Sequence, residues 1–426
     1  MSAVRRQAGT RRARAALLCC ACGLVLLLLM EWTGRPLRPL TRMRLWRVPA
    51  AASGGAVWHG SPGWPMGHAD AANSSRSPYG GPQAPRVAAR VRPWLTPSAL
   101  GGPGCGVAIG GDVLTRDIDK ALVCFGPDLV AKWRHGEWGG ASAPAIGPDG
   151  RIHAAVGRAE MVAVEPAGAV RARWALGLRA EPSTPIVRAD GCVLVADVDG
   201  TEVVCVSPDK GVTWRTSLEL GSGGPGYRRG NLAVGPDGDS YVAGQSAVAG
   251  LDGLGRRKWR YDSTSSILTP PVVGDDGLIR IGTSSGDVIA IRPNGSEAQR
   301  WGFGEPVTAL GLTPSGEVVC AGGPFQGVEG PGCGWLSLVD ARGGRRWTSR
   351  IEGYPGCMAI DSSGTVFVAS EVLSAVGGGG RILWTHSFHT PLSGRIAPRW
   401  VALGPYGLYV TCNDHSIWLF ATVEPA

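Results

Sequence analysis

The sequence predicts an all-β protein, an eight-bladed β-propeller of four-stranded antiparallel blades, on three observations. Eight tryptophans, Trp94, Trp133, Trp174, Trp214, Trp259, Trp301, Trp347 and Trp384, recur at intervals of 37 to 46 residues, the spacing of propeller repeats. A turn-type glycine stands in each unit, at Gly111, Gly150, Gly191, Gly238, Gly277, Gly316, Gly364 and Gly407. Four of them follow an aspartate (Asp149, Asp190, Asp237, Asp276), the pair that best accepts the positive φ of tight strand reversals. Between these landmarks run short apolar stretches bounded by Gly, Asp and Pro, which read as strands.

One unit shows the order of elements. Residues 184–187 supply a strand ahead of the glycine, as do 269–273 and 306–310 in later units. Residues 191–196 supply the second strand, 202–206 the third, and the tryptophan strand ending at Trp214 the fourth. Four strands in about 40 residues make one blade. The last unit has strands on both sides of Gly407 but no terminal tryptophan strand, whereas Trp94 has no turn glycine ahead of it. The strand near Trp94 is therefore expected to complete the last blade, so that both chain ends close the ring and no sheet edge is left open. Seven blades would follow if the first or last unit were malformed. The eight tryptophans are read as structural blade-docking residues, because a large flat ring with one N–H suits a repeated half-polar seam.

Charge separates the chain into parts. The net charge is +8, but residues 1–50 hold ten arginines and one acid, Glu31, so the other 376 residues sum to −1. A near-neutral body has no electrostatic footprint for a polyanion, and nucleic acid is not an expected partner. Arg5, Arg6, Arg11, Arg12 and Arg14 precede the apolar run 15–30, the layout of an export signal. Residues 1–30 are read as an uncleaved signal anchor, with a cleaved signal peptide as the alternative. The protein is then at the cell membrane with its body on the extracytoplasmic side, or else secreted or periplasmic. Cys19, Cys20 and Cys22 precede the strongest apolar stretch, 24–29, an order that disfavours lipidation. Residues 31–88, rich in Gly, Pro, Ala and Ser, read as a flexible tether, and residues 89–426 as the propeller.

Signals for chemistry are sparse. The body's eight cysteines permit disulfides in an exported chain without demanding them; Cys320 and Cys333 bracket a loop and form the pair to test first. His386-x-x-His389 lacks a third ligand. Asp197-Val198-Asp199-Gly200 starts like a calcium loop, but no glutamate follows at the required distance and a hairpin turn is needed there. Neither a nucleophile elbow nor a phosphate-cradling loop is present. No catalytic residue, metal ligand or cofactor site is assigned. Recognition is expected instead in loops. The sixth unit has 31 residues between Gly316 and Trp347 where the others have 20 to 24, and the excess falls in 322–334. Phe325, Gln326 and Glu329 in that insertion are the first candidates for partner contact, and Tyr227, Arg228 and Arg229 in the long loop 221–230 are the second.

The units also resemble a known family, the pyrroloquinoline-quinone-type (quinoprotein-like) propeller repeats, whose blades carry Ala-x-Asp-x-x-Thr-Gly-x-x-x-Trp. Ala249 to Trp259 fits its outer positions, with Gly255 four residues before the tryptophan, and Gly343 and Gly380 keep that offset before Trp347 and Trp384. Asp252 and Asp340 stand one place later than the motif's acid. The resemblance covers roughly 89–426 and implies the propeller fold. The family's quinone-dependent dehydrogenases use adjacent cysteines, a catalytic Asp and a calcium site near the axis; the only adjacent cysteines here, Cys19 and Cys20, lie in the export segment. The chain is more similar to non-catalytic members such as the propeller lipoprotein of the outer-membrane β-barrel assembly machine. The expected function is a membrane-tethered scaffold that binds a protein or envelope ligand through loops on one face, without cofactor. The alternatives are a quinone- or metal-dependent oxidoreductase with a site at the ring centre, or a glycan-binding module.

Overall fold

In the computed structural model the described residues are 66, 68–91, 106–107, 111–116, 121–136, 143–221, 231–324, 333–390 and 394–422. They form eight antiparallel four-stranded sheets and one two-stranded ribbon, with no helix among them. Blades 1 to 7 span 106–135, 145–175, 186–217, 232–262, 272–302, 307–351 and 357–386, and blade 8 spans 398–421 with one strand from the N-terminal side. In blades 1 to 7 the four strands, A to D, lie in the sheet in chain order. The A strands of neighbouring blades pack together around the axis, so D is outermost. Up-and-down order places the A–B and C–D turns on one face of the ring and the B–C and D–A connections on the other.

Burial follows from that layering. Blade 3 comprises Ile186–Val187, Val193–Ala196, Glu202–Ser207 and Gly211–Ser217. Its first three strands are wholly buried, since each blade is covered on both faces by its neighbours, and this is why they read as unbroken apolar runs. The fourth alternates exposed and half-buried residues with the period of two of a strand facing water on one side. Seven of the eight turn glycines have φ between +75° and +84° at the A–B reversal. In the four Asp-Gly turns the aspartate Oδ1 accepts the N–H two residues on, from Arg151, Cys192, Asp239 and Leu278. Asp197 to Gly200 forms the hairpin between Val193–Ala196 and Glu202–Ser207.

The ring closes with chain from both ends. Val87–Val91 pairs antiparallel with Ile417–Ala421, with Val87 opposite Phe420 and Val91 opposite Ile417. Arg90 lies over the Trp418 ring at 4.4 Å. Trp94, assigned to this strand from the sequence, lies outside the described residues, as do residues 1–30. The first propeller strand starts at Val87, two residues earlier than the sequence boundary.

The flexible-tether reading of 31–88 does not hold for residues 68–88. Ala69, Ala71, Asn73, Ser74, Ser75, Ser77 and Tyr79 are buried, and main-chain hydrogen bonds tie the segment to A strands of the ring. Composition misled because these are small polar residues whose attachment runs through the backbone. Cys320 is a fully buried free thiol, so it forms no disulfide with Cys333; Cys124, Cys192, Cys205, Cys357 and Cys412 are also free.

Candidate functional site

The seam between blades is built from the tryptophan of one blade and the C–D turn of the next. A Cβ placed on Gly168, Gly255, Gly295, Gly343 or Gly380 would lie 2.1–2.8 Å from the ring of Trp133, Trp214, Trp259, Trp301 or Trp347, respectively. Only a residue without a side chain lets the indole approach the turn this closely. Trp174 meets Gly211 more loosely, at 3.4 Å. The indole N–H groups of Trp133, Trp259 and Trp347 donate to Pro166, Pro293 and Gly378 carbonyls at 2.9, 2.7 and 2.7 Å. Each acceptor lies two residues before the docking glycine. Residues two beyond the tryptophan bind that glycine's own carbonyl: His135 to Gly168, Thr216 to Gly255 and Ser349 to Gly380. Blade 8 has its outer strand from the N-terminal side, and there Trp384 donates to Pro82 O at 3.2 Å. Asp252 and Asp340, the displaced motif acids, cap these turns: Asp252 Oδ1 accepts from Leu254 and Arg256 N–H, and Asp340 Oδ1 from Arg342 and Gly344 N–H. These backbone bonds hold both carboxyls below the usual carboxylate range.

Two crevices open beside the docking tryptophans at the A–B and C–D turns. One, of about 260 Å³, is bordered by Thr313, Ser315, Glu317, Trp347 and Ser363. The other, of about 250 Å³, is bordered by Arg151, His153, Arg171, Trp174 and Asp209. His153 is 1% exposed. Burial pushes its imidazole down to about 4, with Asp149 opposing and Arg151 reinforcing the shift. In the unfolded chain the group titrates near the ordinary value of about 6.5. Between those values the unfolded state binds more protons, so stability is fully present above about 6.5 and is lost as the pH falls toward about 4. A shift of this size corresponds to on the order of 3 kcal/mol. His153→Leu should therefore flatten the pH dependence of urea unfolding across that window, and a slope identical to the parent's would refute the assignment.

Among the described residues His386 and His389 are joined by no third metal-holding side chain. His386 packs instead within 4.9–6.0 Å of the Phe388, Trp418 and Phe420 rings, and burial lowers its pKa. Among the described residues no three His, Cys, Asp or Glu side chains form a metal-holding group. Phe325, Gln326, Glu329, Tyr227, Arg228 and Arg229 all lie outside the described residues. Their flanking strands are described: Val318–Gly322 and Gly334–Val339 border the first segment, Gly211–Ser217 and Leu232–Val234 the second. The strand ends that flank the first are a B–C pair and those that flank the second a D–A pair, and up-and-down order puts these four strand ends on the same face of the ring. Tryptophans packing at half-polar blade seams were expected, but the turn carbonyls they bond, the Trp384–Pro82 contact and the attachment of 68–79 to the A strands were not anticipated from the sequence.

No known family pattern matches the chain. A curated protein, the outer membrane protein assembly factor BamB of Bordetella pertussis, is 26% identical over 245 residues, which is 53% of this chain and 58% of that protein. The match thus spans little more than half the length of that relative. Among solved structures, BamB from Moraxella catarrhalis aligns with a TM-score of 0.55 at 14% identity, covering 76% of this chain and 99% of that one. A europium-containing methanol dehydrogenase aligns at 0.57 and 14% identity, covering 83% and 89%. At such identities the two structures establish the fold alone. With its eight four-stranded blades and its tryptophan-docked seams, the chain is an eight-bladed β-propeller, similar in sequence to BamB of Bordetella pertussis and in fold to BamB of Moraxella catarrhalis and the methanol dehydrogenase.

Proposed function

We propose that the chain is an extracytoplasmic, membrane-tethered propeller scaffold that binds a protein partner of the cell envelope through the face of the B–C and D–A connections. The observation that carries this reading is the likeness to a protein named as an outer membrane assembly factor. Two features support it: the arginine-rich start followed by the apolar run 15–30, and the position on one face of the strand ends that flank the two long loops. Phe325, Gln326 and Glu329 are the proposed first contacts, and Tyr227, Arg228 and Arg229 the second. Aromatic and arginine side chains on a rigid frame are the residue types that dominate binding energy at protein interfaces.

The test is to tag the full-length protein in its native host, cross-link the envelope and identify co-purifying proteins by mass spectrometry, in parallel with a variant lacking residues 323–333. A near-stoichiometric partner, lost in the variant while the melting temperature stays that of the parent, is the expected result. A partner retained in full by the variant would remove the insertion from the interface, and no enriched partner with either chain would sink the scaffold reading.

A further inference from the structure

The inner rim of the ring carries a second feature, independent of the outer loops. In a propeller the A strands pair on one edge only, and their other edge points its N–H groups into the axial channel. Buried N–H groups need partners. In this chain the last residue of the A strand in four consecutive blades donates to one short segment. Val234 N–H bonds Ala71 O at 2.7 Å, Val273 bonds Ala72 O at 2.9 Å, Leu312 bonds Ser74 O at 2.9 Å and Ile360 bonds Ser75 O at 2.8 Å. Ser77 N–H returns to Ile360 O at 2.8 Å, and Ser362 N–H reaches Tyr79 O at 3.0 Å. The segment thus follows the rim blade by blade, from blade 4 to blade 7.

Side chains reinforce this path without crowding it. Asn73 Nδ2 donates to Leu232 O and Pro271 O, at 2.6 and 2.9 Å, bridging blades 4 and 5. Arg76 reaches outward to both carboxylate oxygens of Asp275 at 3.1 and 3.2 Å. Asp70 holds the entry, accepting from the N–H groups of Ala72 and Ser74 and from the Ser74 hydroxyl. Ala69, Asn73 and Ser75 adopt φ of +75°, +57° and +55°. Backbone of this kind is sparsely populated by L-residues and persists only where surroundings enforce it. The kinks bend the segment to the curvature of the rim.

We propose that the inner rim, at its A–B turn end, is a peptide-binding site read through the main chain, and that the chain fills this site with its own residues 71–79. Its ligand class is a kinked peptide of small residues, since Ala71, Ser74, Ser75 and Ser77 are each buried and bulk at those positions would meet the surrounding A strands. Occupied in this way, the rim of blades 4 to 7 has no main-chain groups left at these positions for another peptide, and the N-terminal part of the chain becomes a working part of the ring.

The test uses the detergent-solubilised full chain with a site-specific protease sequence inserted after Gly80, which is exposed and where a side chain would meet nothing within 4 Å. After cleavage the N-terminal fragment should remain with the ring through size-exclusion chromatography. Asn73→Ala, which removes two buried hydrogen bonds, should speed its release by about tenfold or more. Should the insertion prevent folding, hydrogen exchange in the unaltered chain decides: the amides of Val234, Val273, Leu312 and Ile360 should be protected on the order of a hundredfold or more over unpaired amides. A fragment that leaves at once from an intact ring, or four amides exchanging as freely as unpaired ones, would overturn the proposal.

Discussion

Asp276→Ala should destabilise the ring by about 3 kcal/mol, the lower end of the range for stranding a buried charge. Arg280, in Ile279–Gly282, is 1% exposed and is the largest fully buried side chain of the protein's described part. Its Nη1 donates to Asp276 Oδ1 at 3.0 Å and to Leu278 O at 3.2 Å, and its Nη2 donates to Asp276 Oδ2. Burial alone would raise the Asp276 pKa, but hydrogen bonds and charge from Arg280 outweigh it and hold the carboxyl below the usual range. The Asp276 side chain is 43% exposed, so water can partly replace it, which is why the lower end of the range is expected. Removing both charges in Asp276→Ala/Arg280→Met should recover most of the loss, because apolar replacement of a buried pair is often neutral. Denaturant titration of the two variants decides the matter; a double variant no more stable than the single one would show that the charge was not the cause.

Gly343→Ala and Gly316→Ala should differ although their backbones match, with φ of +84° and +82°. Either substitution forces an L-residue into left-handed conformation, at about 1–2 kcal/mol. At Gly316 a Cβ meets nothing within 4 Å, whereas at Gly343 it would sit 2.1 Å from Trp301 Nε1 and 2.3 Å from Cδ1. Displacing a packed ring adds about 1–3 kcal/mol. The comparison isolates the blade seam from the turn, and equal melting temperatures for the two variants would show that the seam tolerates the intrusion.

The blades were legible in the sequence because two scarce signals, a tryptophan and a turn glycine, repeat at one period and bracket apolar runs. Closure by both chain ends was legible from the defects at Trp94 and at the last unit, although the closing strand begins at Val87. What the glycine does was not legible. In one repeat Gly255 precedes Trp259 by four residues, yet in space Gly255 serves Trp214 of the preceding blade while Trp259 serves Gly295 of the following one. A motif read along the chain thus describes two different contacts. Residues 71–79 escaped because nothing periodic or apolar marks them; their attachment is made by carbonyls, which every sequence has. The Cys320–Cys333 pair, which the sequence offered for testing, is not a disulfide for a related reason: bracketing a loop says nothing of which way a strand residue points, and the free Cys320 thiol points into the core.

The antiparallel joint between the two chain ends also sets how the ring answers to tension. Val87 faces Phe420 and Val91 faces Ile417, so the chain enters and leaves that ladder at the same end. A load between an N-terminal attachment and the C-terminus pulls the two strands apart like a zip, breaking bonds in series instead of sharing the strain among them. Before it reaches that ladder, the same load must first peel residues 71–79 from the rim, one blade at a time.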